Sequence, residues 1–471
     1  MVSPTAEGLV TDVSQDAAVA ARPQEGLSAR SRWRPPLWGA GCGLLAAISP
    51  GFAGVAVLAV ILVRVVQRRA GPEDRAFLVG ITISSLVIRL AVLAGISAAV
   101  VWMGRVHGSY PFEAPTLFHD SGYAAIRGWR FVDFVTNEVQ YEDKAAYTFE
   151  RYGVGLHNVL YGAFFALFGY SPFAVTALNG LIGVLTVLVG YALTRELAGR
   201  DAARLAAVLL AFFPSFVLWS ATNLKDPLMM LLVTSLPWVW LRWHRTYRWS
   251  DVLLGAVIPL LMLGLRRHFL AGVVASVGCA VLFMVLYWVG RRYRGWLLLA
   301  LGVLVVVSGR LPAIWDQLII RFVGYHRGVV STGGLTYVLF PPQVYDPSFQ
   351  PLSVSLWELV RAYGLGWLHV LFEPFPWTVD RSPFSLLVLP QVVLLWYPLC
   401  VAAGIGAARM CRRRPGFGSL LALYVFLIGS VIVAGGGNVG TDFRMRDTIA
   451  PLLLCWAAIG LTRSPGASET L

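Results

Sequence analysis

Long apolar runs separated by short polar breaks dominate the chain from residue 37 onward. A helix needs about 20 mostly apolar residues to cross a bilayer. Runs at 76–103, 172–197, 202–219, 224–243, 250–266, 269–290, 295–309, 384–408, 417–435 and 448–463 approach or exceed that length. Local thinning, or burial inside a bundle, accommodates the shorter ones. The pattern predicts an all-α polytopic membrane protein with about ten transmembrane helices. Residues 37–66 form a further run, interrupted by Ser49-Pro50-Gly51, residues that favour a turn. Arg30, Arg32 and Arg34 flank one end, and Arg64, Arg68 and Arg69 the other. The run therefore reads as a re-entrant hairpin with both ends cytoplasmic, or alternatively as one Pro-kinked extra span. Residues 1–36 read as a disordered cytoplasmic tail without a signal-peptide pattern. Residues 67–463 form the membrane domain, and 464–471 a short C-terminal tail.

Charge orients these spans. Arg64, Arg68, Arg69 and Arg75 lie in one connection, Arg195, Arg200 and Arg204 in another, and Arg242, Arg245 and Arg248 in a third. Arg291, Arg292 and Arg294, then Arg409 and Arg412–Arg414, continue the series in every second connection. By the positive-inside rule that side is cytoplasmic. Both termini then fall in the cytoplasm, and the two long polar loops, 104–155 and 310–383, share the opposite face. Aromatics crowd both loops, including Tyr123, Trp129, Phe131 and Tyr141 in the first and Trp315, Tyr337, Trp357 and Trp367 in the second. Such density suits amphipathic helices at a membrane surface.

Composition agrees. Hydrophobic residues make up 57% and charged residues 13%, against about 25% charge in a soluble domain. The net charge of +13 comes from clusters between spans rather than from a nucleic-acid-binding face. The five cysteines lie in spans or at their basic ends, which argues against a disulfide framework or a thiol metal site. Walker, Rossmann and zinc-ligand spacings are absent.

Candidate chemistry collects at the ends of spans. Asp120, in Phe118-His119-Asp120-Ser121-Gly122-Tyr123, could act as general base toward an acceptor hydroxyl, or simply cap a helix. Glu142-Asp143 could bind a divalent cation through oxygen, or an acceptor; a solvated charge pair is the simpler reading. Lys225-Asp226 opens a span, and the chain's lysines are Lys144 and Lys225 alone. Lys225 could bind phosphate at a helix N-terminus, or snorkel to headgroups while Asp226 serves as a helix-end charge. Arg266-Arg267-His268 places two cations where the positive-inside trend disfavours them, so an anionic partner is expected, either lipid phosphate or substrate phosphate. The same holds for Arg444 and Arg446, which flanking Asp442 and Asp447 could also neutralise.

In this order the landmarks resemble the GT-C superfamily of membrane glycosyltransferases. The likeness is to bacterial members related to protein mannosyltransferases and to the lipid-A and lipopolysaccharide-core enzymes. It runs over roughly 76–463. Asp120 and Tyr123 lie in the first outer loop, followed by Gly169 and Pro172. Then come Phe213-Pro214-Ser215 with Lys225-Asp226, Arg266, Pro374-Phe375-Pro376-Trp377 and Arg444-Met445-Arg446. The family often shows two adjacent acids where this chain has His119-Asp120-Ser121.

The resemblance implies a GT-C-like bundle in a bacterial inner membrane, working in cell-envelope biogenesis. A polyprenyl-phosphate sugar would be the donor, and a glycan, lipid or protein the acceptor, with no nucleic acid involved. Asp120 would deprotonate the acceptor, with His119, Tyr123, Glu142 and Asp143 nearby in the loop. Lys225, Arg266, Arg267, Arg444 and Arg446 would stabilise the leaving phosphate. The scheme requires no cofactor, and a divalent cation at the acids stays an option. A non-catalytic scaffold of an envelope-assembly complex is the alternative, as is a transporter. A transporter would show inverted repeats and midplane charges.

Overall fold

The computed structural model of the chain describes residues 49–107, 119–136, 155–266, 268–278, 311–331, 335–346, 348–378 and 388–462. In chain order the helices are α1 Pro50–Arg69, α2 Pro72–His107, α3 His119–Thr136, α4 Leu156–Phe168, α5 Pro172–Ala198, α6 Arg200–Phe212, α7 Pro214–Ser220 and α8 Asp226–Thr246. They continue as α9 Trp249–Leu265, α10 His268–Gly278, α11 Leu311–Val330, α12 Leu356–Phe372, α13 Val388–Arg413, α14 Pro415–Ala434, α15 Val439–Arg446 and α16 Ala450–Leu461. Among the described residues there is no strand, and one antiparallel bridge joins Thr336 to Asn438.

Proline opens α1, α2, α5, α7 and α14, because its fixed φ and missing N–H suit a first helical turn. Ser49-Pro50-Gly51 is one such start: Ser49 is extended at the N-cap and Pro50 begins α1. Residues 37–48, the other arm of the expected hairpin, lie outside the described residues.

Five helices, α1, α2, α5, α13 and α14, are long and apolar enough to cross a membrane. The expected run 202–219 is instead two helices, α6 and α7, bent by 56° between them. Pro214 causes the break, since it cannot donate to the carbonyl of Leu210. Counted as one span, the pair makes six, so the expected ten is not reached among the described residues. Most of 269–290 and all of 295–309 lie outside them. The run 448–463 yields α16, with 12 residues. At 1.5 Å per residue that is ~18 Å, short of a ~30 Å hydrocarbon core. Burial explains its apolarity, since Leu452, Leu454, Ala457 and Ala458 are fully covered. The apolar helix α4 has no counterpart among the predicted spans.

One face of α5 organises the centre. Thr176, Asn179, Gly183, Thr186 and Gly190 follow helical spacing and are buried. A side chain at Gly183 would strike Ser220 and Arg89, and one at Gly190 would strike Leu210. This strip of small and polar residues therefore receives the end of α6, all of α7 and the turn that follows. Arg89 of α2, 2% exposed, completes the arrangement. It donates to the carbonyls of Ala211 at 3.0 Å and Leu210 at 3.4 Å, and to Ser85. A guanidinium thus caps the α6 carbonyls that the proline break leaves open, where a cation also suits the helix dipole.

Acidic side chains gather arginines at each end of the bundle. At one end Asp74 contacts Arg195 at 3.5 Å, Arg200 at 2.7 Å and Arg204 at 2.9 Å. Arg242 pairs with Asp251 and Arg245 with Glu196 at the same end of α5. Arg409 caps the last carbonyls of α16. The basic connections around Arg195–Arg204 and Arg242–Arg245 are therefore neighbours in space, while Arg291, Arg292 and Arg294 lie outside the described residues. At Gly406 and Gly460 α13 and α16 touch backbone to backbone, a close approach that only small residues permit.

Candidate functional site

The opposite end carries the candidate chemistry. Asp226 is the first residue of α8 and is 1% exposed. Arg266, at the C-terminal end of α9, donates from Nη2 to Asp226 Oδ1 at 2.8 Å. Arg444 of α15 brings Nε within 3.8 Å of the other carboxylate oxygen. Lys225 is partly buried and close enough to act on Asp226 electrostatically. Cations separated by up to 219 positions in sequence (Lys225 to Arg444) thus meet at one carboxylate. Asp226 carries the convergence, a larger role than that of a helix-end charge.

The turn before α8 is irregular, so its backbone needs partners from elsewhere. Asn179 of α5 supplies them, donating from Nδ2 to Thr222 O at 2.8 Å and Leu224 O at 3.1 Å. The Tyr161 hydroxyl, 2.8 Å from the same nitrogen, shares that nitrogen's two N–H groups with those carbonyls and itself donates to Leu224 O at 3.2 Å. Thr176 donates to the Asn223 side chain.

Arg446 is placed differently from Arg444. It is fully buried, with Trp396 and Phe443 rings each 4.6 Å from its guanidinium carbon. Its Nη1 donates to Glu373 O at 3.0 Å and Leu371 O at 3.3 Å, which caps α12. Trp396 Nε1 and the Tyr397 hydroxyl bond the neighbouring carbonyls of Leu371 and Phe372. A π-helical turn at Gln391–Trp396 precedes Tyr397 in α13. Asp447 lies 3.8 Å from Arg446 and accepts from Trp219 Nε1 at 2.9 Å. Lys225, Arg266, Arg444 and Arg446 thus gather with Asp226 and Asp447 in one largely buried region.

A polar joint fastens the segment after α11 to α15. Tyr337 donates from its backbone to Gly437 O and from its hydroxyl to Asp442 Oδ2 at 2.5 Å. Gly437 N donates to the same oxygen at 3.1 Å. His369 stacks on Tyr337 with centroids 3.8 Å apart and bonds Glu373 at 2.9 Å. His326 bridges Gly436 O and the Tyr345 hydroxyl. Burial raises the Asp442 carboxyl to about 6, with the Tyr337 and Gly437 hydrogen bonds opposing the shift. Burial also raises the Tyr337 phenol and lowers the His326 imidazole. Every member of this joint except Asp442 escaped the sequence reading as chemistry, for want of a local motif.

Asp120, His119 and Tyr123 lie in the first two turns of α3, with side chains outside those described. The helix docks on α4, where Gly128 faces Tyr161 and Gly162 faces Phe131. Glu142, Asp143 and Arg267 lie outside the described residues. Among the described residues no group of three His, Cys, Asp or Glu side chains could hold a metal ion.

The stretch from α4 into α11 contains Lys225, Asp226 and Arg266, and it can be set against known families. Residues 156–315 match the family of dolichyl-phosphate-mannose-protein mannosyltransferases. The resemblance read from the sequence therefore holds over this stretch, and it points to a membrane glycosyltransferase of the GT-C type. The match includes Asn179 and Tyr161 and stops short of Asp120, Arg444 and Arg446. No curated protein matches the chain.

Proposed function

We propose that the protein transfers a sugar from a polyprenyl-phosphate donor to a cell-envelope acceptor on the extracytoplasmic face. The observation that carries this reading is the gathering of Lys225, Arg266 and Arg444 around buried Asp226, within and beside the stretch that matches the mannosyltransferase family. The leaving group of such a reaction is a lipid phosphate, and preorganised cations stabilise the charge that develops on it. Lys225, Arg266 and Arg444 fill that role, with Arg267 beside them in sequence. Arg446 acts as a structural cation that fixes α12 against α15. Asp120 accepts the proton of the acceptor hydroxyl as it attacks the anomeric carbon. The joint at Tyr337 and Asp442 ties the long loop to the helix carrying Arg444, so that closure over the site can exclude water.

A transfer assay with a radiolabelled polyprenyl-phosphate sugar and membrane acceptors tests the reading. Asp120→Asn abolishes transfer without lowering expression. Arg266→Ala reduces it by about 100-fold or more, the scale of losing one transition-state donor. Full transfer by Asp120→Asn removes the base assignment; full transfer by Arg266→Ala removes the phosphate site.

A further inference from the structure

The stretch Ala221–Lys225 is the piece of backbone that delivers the lysine, and it has no helix to hold it. Its inward carbonyls are satisfied by side chains of α4 and α5. The amide of Asn179 meets two carbonyls and a hydroxyl within 3.1 Å. Carbonyls only accept, so the nitrogen must face the turn. Asn179 is 2% and Tyr161 5% exposed, so water does not replace either bond. The turn's shape, and with it the position of the Lys225 ammonium relative to Arg266, depends on this bracket.

We infer that Asn179 and Tyr161 are positioning residues that set Lys225 to bind the donor's phosphate. The inference rests on the phosphate-site reading above. Asn179→Asp keeps the size of the side chain and turns a donor into an acceptor, so two carbonyls and a carboxylate oxygen oppose one another. Tyr161→Phe removes one hydroxyl and keeps the ring against His157.

The test uses the full chain in lipid nanodiscs, with a polyprenyl monophosphate lacking sugar as the probe and tryptophan quenching as the readout. Tyr161→Phe weakens binding by about threefold and Asn179→Asp by about tenfold or more, the scale of one and of several neutral hydrogen bonds. In a Lys225→Ala background the same two changes cause no further loss of affinity, because they act through the lysine. A purely structural role gives the opposite result, an equal added loss in both backgrounds, and overturns the inference. So does wild-type affinity in both variants. If the wild type itself does not bind the probe, or if Lys225→Ala binds it normally, the phosphate-site reading fails first and takes the inference with it.

Discussion

Removing the carboxylate at Asp226 is the sharpest perturbation of the site. It lies 2.8 Å from one guanidinium nitrogen and 3.8 Å from another. At an effective dielectric constant of ~20 these pairs carry about 6 and about 4 kcal/mol of Coulomb attraction. Desolvation of the buried charges offsets much of that. Deleting one partner of a buried pair nonetheless costs about 3–5 kcal/mol, because the remaining charge stays unpaired. Asp226→Ala reaches the upper part of that range. Asp226→Asn, which keeps an acceptor for Arg266, falls at the lower part. Thermal unfolding in detergent, followed by tryptophan fluorescence, measures both. A second effect separates a phosphate site from a plain ion pair. A bound phosphate supplies the missing negative charge, so a polyprenyl monophosphate raises the melting temperature of Asp226→Asn more than that of the wild type. Saturation at 100 times Kd corresponds to about 2.7 kcal/mol of stabilisation. Wild-type stability in Asp226→Ala would falsify the ion-pair account. An equal or smaller ligand shift in Asp226→Asn refutes the phosphate account.

Three further outcomes follow from the same geometry. Arg446→Met keeps much of the volume between Trp396 and Phe443 but strips the α12 carbonyls and Asp447 of their cation; it costs about 3–5 kcal/mol, read as a lower melting temperature, and an unchanged one contradicts the capping role. Arg89→Lys cannot reach Leu210, Ala211 and Ser85 together, and loses about 1–3 kcal/mol for the carbonyls left open at the α6 break; cysteine cross-linking between α6 and α7 reports whether the bend relaxes. Asp442 sets a pH dependence. Its folded value of about 6 lies above the ordinary 3.8, so across that window the folded state holds a proton that the unfolded state has released. Its contribution to stability is therefore full below the lower value, falls as pH rises through the window, and is gone above it, by about 3 kcal/mol in all at 1.36 kcal/mol per unit. Asp442→Asn removes that slope, so the difference in melting temperature between variant and wild type changes from pH 4 to pH 7; a constant difference contradicts the assignment.

Hydropathy and basic clusters, both properties of consecutive residues, made the apolar helices and the segregation of charge legible in the sequence. Arg195, Arg200 and Arg204 do share an end of the bundle with Arg242 and Arg245, gathered by Asp74, Glu196 and Asp251. Pro214 was in plain view inside the run 202–219. The break it forces, and the Arg89 cap that makes the break tolerable, were not, because the capping side chain lies more than 120 residues away. Lys225, Arg266 and Arg444 could be picked out as cations in costly places. Their convergence on Asp226, and the burial of Arg446 as a cap instead, depend on which helix ends meet. Asn179 and Tyr161 looked like ordinary residues of apolar segments, because a hydrogen bond to a distant backbone carbonyl leaves no mark on local composition. Sequence alone determined where apolar and charged segments lie along the chain. Tertiary structure decided which of the charged groups meet and which cap helix ends, since burial and pairing depend on contacts between residues far apart in the chain.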